Sequence, residues 1–194
     1  MCAVTLPMAN STLYPLLTSP NIGLAGPVDY NMYGFFRQAL INAPKQGPLV
    51  ISLTTMGGDP EVARAMGDDV RIMQEREGRE LLFLGQAAVY SAGATFMSYF
   101  ARDKRFLTRG TRIMIHERQI TKTINLSGPL RMCVATLKAT LNEIEHSINI
   151  EEEGFRALIG GSSITFDEVH HKAPENWYID AEDARDLGLV LDVI

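Results

Sequence analysis

The fold is decided by one uncharged stretch, Glu80-Leu81-Leu82-Phe83-Leu84-Gly85 through Ser91-Ala92-Gly93-Ala94-Thr95-Phe96-Met97, followed by Arg112-Ile113-Met114-Ile115-His116. The apolar run from Leu81 has no helical spacing and stops at a glycine, which suits a strand buried on both faces and ending at Gly85. Ser91-Ala92-Gly93-Ala94 is small throughout and opens a helical run from Thr95 to Ala101. A serine at the mouth of a helix, with nothing bulky after it, presents its hydroxyl beside free backbone N–H groups, the geometry an acyl-transfer nucleophile needs. His116 ends a second short apolar strand and is placed to supply the base.

Size and composition set bounds on everything else. The chain of 194 residues fits one domain with a sizeable core, with 46% hydrophobic and 21% charged residues as in an ordinary soluble globule. A net charge of −5 supplies no basic field for nucleic acid and no polybasic membrane patch. Two cysteines, Cys2 and Cys133, are too few for a disulfide framework, and the N-terminus lacks a signal-peptide pattern, so a cytoplasmic location is expected. Leu81 to Ala101 carries no charge, but its glycines and polar residues favour a buried strand-turn-helix over a membrane span.

Outward from the central stretch, residues 1–20 hold three prolines and read as an N-terminal arm, and 21–194 as one domain. Asn21 to Gly26 is a short strand, and Asp29 caps a helix. Pro48 to Thr55 is a strongly β-prone run leading into Gly57-Gly58-Asp59-Pro60, where Asp59 and Pro60 start a helix through Gln74. Gly58 N–H and Ala92 N–H are the two candidate oxyanion donors. Lys104 to Leu107 and Thr111 to Ile115 are further strands. Strand-helix alternation implies right-handed crossovers and a mostly parallel sheet, whose chemistry collects at the strands' carboxyl ends. Gly57-Gly58, Ser91 and His116 all fall at such ends.

Ser127-Gly128-Pro129 opens a helix running to Gly160-Gly161, with Val134, Leu137, Leu141, Ile144 and Ile148 stepping by threes and fours. At about 45 Å it is near the diameter of the domain, so part of it should protrude and pack on another subunit; the alternative is a helix kinked near Gly154 and folded back. Thr165-Phe166-Asp167-Glu168 is a capping box opening a short helix. Pro174 to Tyr178 is a loop or edge strand, Asp180 to Asp183 opens a last helix, and Leu189 to Ile194 closes the chain as a strand. His170-His171 beside Asp167 and Glu168 reads as a solvated helix face rather than a metal site. Glu117 should face away from His116.

The order of these motifs resembles the proteolytic subunit of the Clp protease, a serine peptidase family of the crotonase-like fold. The resemblance rests on Gly57-Gly58, Gly85-Gln86-Ala87-Ala88, Ser91-Ala92-Gly93-Ala94, Arg112-Ile113-Met114-Ile115-His116, and Ala181-Glu182-Asp183-Ala184 with Gly188-Leu189-Val190-Leu191-Asp192, over about residues 21–194. It implies an α/β fold of mostly parallel sheets with flanking helices and a protruding handle region at about 117–161. It also implies a serine endopeptidase acting on peptide or unfolded protein in a homo-oligomeric ring, two stacked heptamers being one arrangement. An ATP-dependent unfoldase is the implied partner, and no metal, organic cofactor, nucleic acid or membrane is required. The implied catalytic residues are Ser91, His116 and Asn176, with Asn176 standing where the family carries a carboxylate. This chain also inserts Val89-Tyr90 before the serine, has a longer segment between His116 and Phe166, and has no recognisable gating loop in residues 1–20. Two alternatives share the fold: a non-catalytic ring subunit, and a crotonase-type acyl-CoA enzyme, which would need a glutamate acid/base and an adenine pocket.

Overall fold

A computed structural model of the chain describes residues 14–194. Five strands, β1 (Ile22–Ala25), β2 (Leu49–Thr55), β3 (Leu81–Tyr90), β4 (Arg105–Leu107) and β7 (Asp192–Val193), lie in the order β1-β2-β3-β4-β7, every pair parallel. β5 (Arg112–Ile115) pairs in parallel with the far end of β3, and β6 (Trp177–Asp180) pairs antiparallel with β5. β2 and the first half of β3 are buried on both faces because helices cover one side and a second apolar layer the other. On the helix side, Leu49, Ile51, Leu81 and Phe83 join the main core. Their neighbours Val50, Leu82 and Leu84 point oppositely and form a smaller core with Phe106 and Leu17.

Leu17 belongs to a short helix, α1 (Tyr14–Leu17), so this end of the expected arm packs on the sheet; residues 1–13 lie outside the described residues. The helices form where their caps place them. The Asp29 carboxylate accepts the Met32 N–H at 2.8 Å to start α2 (Tyr30–Asn42). Asp59 accepts the Glu61 N–H at 2.8 Å and Pro60 takes the first position of α3 (Pro60–Glu77). That helix runs past the expected Gln74 because its stop is Gly78, left-handed at φ 62°, whose N–H returns to the Met73 carbonyl.

The central strand departs from expectation most usefully. β3 does not end at Gly85 but continues to Tyr90. Leu53 pairs with Gly85 and Thr55 with Val89, so one step of two residues on β2 faces a step of four on β3. The excess is taken up around Ala87, whose φ is +58°. The inserted pair in the sequence is thus absorbed as a bulge upstream of Ser91. The bulge also changes the neighbour: before it β3 pairs with β4, after it with β5. Residues 81–101 are therefore a strand, the helix α4 (Ala92–Met97) and a turn, and among the described residues no helix is long and apolar enough to cross a membrane.

α5 (Leu130–Ile159) is a single helix of 30 residues that Gly154 does not interrupt. Its buried residues, Phe155, Leu158 and Ile159, sit at its C-terminal end, with Thr140 alone farther out. Residues 116–129 form neither helix nor strand and run back along the helix, with Arg118 bonded to Glu151 and Lys122 to Glu143. α6 (Phe166–Lys172) starts where the Thr165 hydroxyl accepts the Glu168 N–H. A 3₁₀ turn, Ala173–Glu175, leads into β6, and α7 (Ala181–Asp186) precedes β7. β7 is shorter than the expected Leu189 to Ile194 because only its end lies against β4.

Candidate active site

Ser91 occupies the one-residue corner between β3 and α4. Its backbone is at φ 53°, ψ −114°, a region that a residue with a Cβ enters only under constraint. The constraint is visible on both sides. The Ser91 N–H donates to the Met114 carbonyl at 2.9 Å, and its carbonyl accepts the Thr95 N–H at 3.1 Å. α4 is too short to hold itself, so packing holds it. Phe96 meets Phe36, Phe83 and Phe100 at centroid distances of 5.6, 6.3 and 5.3 Å, mostly edge-on. A Cβ on Gly93 would stand 2.4 Å from the Thr55 side chain, and one on Gly57 2.9 Å from the Ser91 Cβ. Glycine at both places lets the corner close.

His116 follows the last laddered residue of β5, and its Nε2 lies 2.7 Å from Ser91 Oγ. If Nε2 accepts the serine proton, Nδ1 carries the ring hydrogen and requires an acceptor. Nδ1 is buried and, among the described residues, has no hydrogen-bond partner. The ladder ends at the pair Ile115–Trp177, and His116 and Asn176 each lie one residue beyond it. Asn176 nevertheless makes no bond to the ring. It is left-handed at φ 59°, ends the 3₁₀ turn with its N–H on the Ala173 carbonyl at 3.1 Å, and is exposed. Glu175 is exposed too. Ser91 and His116 are therefore joined, and Asn176 is brought to the same strand end without engaging the imidazole.

Gly58 and Ala92 border the same crevice as Ser91 and His116. The Val28 N–H donates to the Gly57 carbonyl at 3.0 Å and the Asp59 N–H to the Val28 carbonyl at 2.8 Å, so this bridge leaves the Gly58 N–H turned away from Val28. Gly58 is at φ 150°, and a Cβ there would come 2.3 Å from the Val28 oxygen. The Ala92 N–H is among the first four of α4 and has no intrahelical acceptor.

The crevice, about 990 Å³, opens between α4 and the inner side of α5. Ile115, Ile144 and Ile148 give it apolar walls, Arg64, Glu117, Arg118 and Glu151 give it charge, and His170 also borders it. Glu117, just past the end of β5, is exposed and borders the crevice. Burial pushes the Glu151 carboxyl above its ordinary value despite the Arg118 backbone N–H it accepts. Glu61 moves the other way: burial acts to raise it but is outweighed by hydrogen bonds from Arg118 and Arg64, which hold it below the usual range. Sequence reasoning missed Glu61, Arg118 and Glu151, since no spacing links positions 57 and 33 residues apart. His170 packs on Phe166 at 4.9 Å and stands 3.7 Å from Glu152. Among the described residues no three His, Cys, Asp or Glu side chains converge as metal ligands would.

Known proteins are similar to this chain over most of its length. A solved structure of an Asn-to-Asp mutant of ClpP1 from Listeria monocytogenes superposes with a TM-score of 0.69 at 18% identity, covering 94% of this chain and 95% of that one, which shows the fold. The ATP-dependent Clp protease proteolytic subunit 3 of Rhizobium johnstonii is 22% identical over 97% of this chain and 91% of its own length. The ATP-dependent Clp protease proteolytic subunit 2 of Treponema pallidum is 24% identical over 92% and 83%. The sequence model of the Clp protease family matches residues 8–194, a span that takes in the serine corner, the histidine strand and the long helix alike, and the chain belongs to that family.

Proposed function

We propose that this chain is a serine endopeptidase. The observation that carries the reading is the 2.7 Å contact between Ser91 Oγ and His116 Nε2, at a strained strand-to-helix corner. In this reading His116 takes the Ser91 proton as Oγ attacks the peptide carbonyl. The backbone N–H groups of Gly58 and Ala92 face the oxyanion that forms. His116 then passes the proton to the leaving amine, and water, activated by the same ring, hydrolyses the acyl-enzyme. The Asn176 amide oxygen turns in to accept the Nδ1–H and fix the tautomer. The working form is a ring, two stacked heptamers being the arrangement the long helix suits. Its substrates are peptides or unfolded protein fed by an ATP-dependent partner, in the cytoplasm. The relatives' names, ATP-dependent Clp protease proteolytic subunits, support this assignment.

A fluorophosphonate probe tests it. The assembled wild-type protein should be labelled at Ser91, Ser91→Ala should take no label, and His116→Ala should react at least about 100-fold more slowly. One observation favours a second reading, a non-catalytic ring subunit: the unpartnered Nδ1 with Asn176 turned to solvent. An intact assembly that takes no label would establish that reading and end the first.

A further inference from the structure

We infer that Arg118 is a positioning residue, a strut that fixes His116 relative to the turn bearing Gly58. This deepens the peptidase reading and rests on it for its effect on turnover. The need for a strut is plain in the local structure. His116 lies just past the last paired residue of β5, its Nδ1 has no partner among the described residues, and residues 116–129 have no ladder or helix to stiffen them. Two residues on, Arg118 is tied in two directions. Its backbone N–H donates to the Glu151 carboxylate of α5. Its guanidinium meets the Glu61 carboxylate at 2.5 Å, with only 22% of the Arg118 side chain exposed. Glu61 is in the first turn of α3, its own N–H held by Asp59, and Gly58 immediately precedes that cap. Arg64, 2.7 Å from Glu61 on its other side, keeps the carboxylate ionised and aimed. The strut therefore spans from the candidate base to the candidate oxyanion turn without touching the reacting atoms. The Glu61 side chain is 52% exposed, so the covered partner is Arg118, and its planar guanidinium sets a direction as well as a distance.

The test uses the assembled full-length protein and two readouts. In Arg118→Gln and Glu61→Gln, kcat for a fluorogenic peptide should fall about 10-fold with KM within about twofold, since displacement of about 1 Å at a reacting group costs up to about 100-fold. The double variant should be no worse than either single one. Independently of activity, diethyl pyrocarbonate should modify His116 at least about fivefold faster in both variants, while His146 and His171 keep their wild-type rates by site-resolved mass spectrometry. An unchanged His116 modification rate overturns the strut, as do additive losses in kcat or an effect carried by KM. If the wild type takes no fluorophosphonate but His116 still loosens in the variants, the peptidase reading fails and the strut stands.

Discussion

At His116 the two ring nitrogens are in opposite circumstances: Nε2 holds Ser91 Oγ at 2.7 Å, and Nδ1 is buried without an acceptor. An asparagine opposite can fix the tautomer but adds no charge to the imidazolium that forms during attack. In a serine protease the aspartate-to-asparagine change costs about 10⁴ in turnover. Asn176→Asp should therefore raise kcat by about 10-fold or more, and its φ of 59° is one that aspartate also adopts. Steady-state peptide hydrolysis measures it; an unchanged kcat would mean that position 176 never reaches the ring. A second residue, Arg105, matters for stability alone. It is 3% exposed, and its guanidinium donates to the carbonyls of Phe100 at 2.8 Å, Ser98 at 3.0 Å, Leu158 at 3.0 Å and Leu189 at 3.3 Å. Burial lowers its pKa to about 10, helped by Arg102, so it remains charged at neutral pH. Arg105→Leu would strand four carbonyls where α4, α5 and the C-terminal segment meet β4. The loss should be about 3 kcal/mol or more by chemical denaturation.

Between elements, charge inside a helix contact gives a pH-dependent result. Asp69 of α3 faces α2, with Oδ2 buried and unbonded and Arg37 Nε 3.9 Å away. Burial raises its carboxyl above 3.8, against the opposing pull of Arg37 and Tyr33. The native state thus holds this proton to higher pH than the unfolded chain does. Stability is lost as pH climbs from 3.8 through the raised value, and a neutral amide escapes the loss. Asp69→Asn should melt above wild type at pH 7, the gap narrowing as pH falls toward 4. A gap constant with pH would locate the effect elsewhere. Elements were otherwise the most legible scale. Asp29, Asp59-Pro60 and Thr165 each start a helix where their side chains must satisfy free N–H groups, and those signals are local. The Ser91 corner was legible because small residues after a buried run admit few other uses. The β3 bulge was not: whether Gly85 ends a strand depends on β2, β4 and β5, none adjacent in sequence. For the same reason the family resemblance could point to Asn176 as the residue for His116, while the exposure of Asn176 could not be read from sequence. The Glu61–Arg118–Glu151 links are wholly tertiary and left no trace in spacing.

On the scale of the whole molecule, α5 is the feature a lone subunit leaves unexplained. Leu130, Val134, Leu137 and Leu141 are 84%, 50%, 46% and 53% exposed, and Ile148 is 46% exposed, so the heptad-like seam read from the sequence is largely uncovered. Residues 116–129 shield only part of the helix, and Ile120, Ile124 and Leu126 on that segment are themselves exposed. A contiguous apolar strip of this kind marks an interaction surface, and in the proposed ring it is where a second subunit would lie. Because Leu137 and Leu141 are solvent-facing in one chain, changing them should cost the isolated fold no more than about 0.5 kcal/mol. Burying two carboxylates in a subunit contact without counter-ions would cost several times that. Leu137→Glu with Leu141→Glu should therefore shift the protein to a smaller species in sedimentation velocity, with far-UV circular dichroism unchanged. Asn142→Glu adds charge to the exposed polar side of the same helix and should leave the assembly at its wild-type mass. Seam variants that sediment as wild type, or a control that dissociates equally, would show that the subunits meet through some other surface.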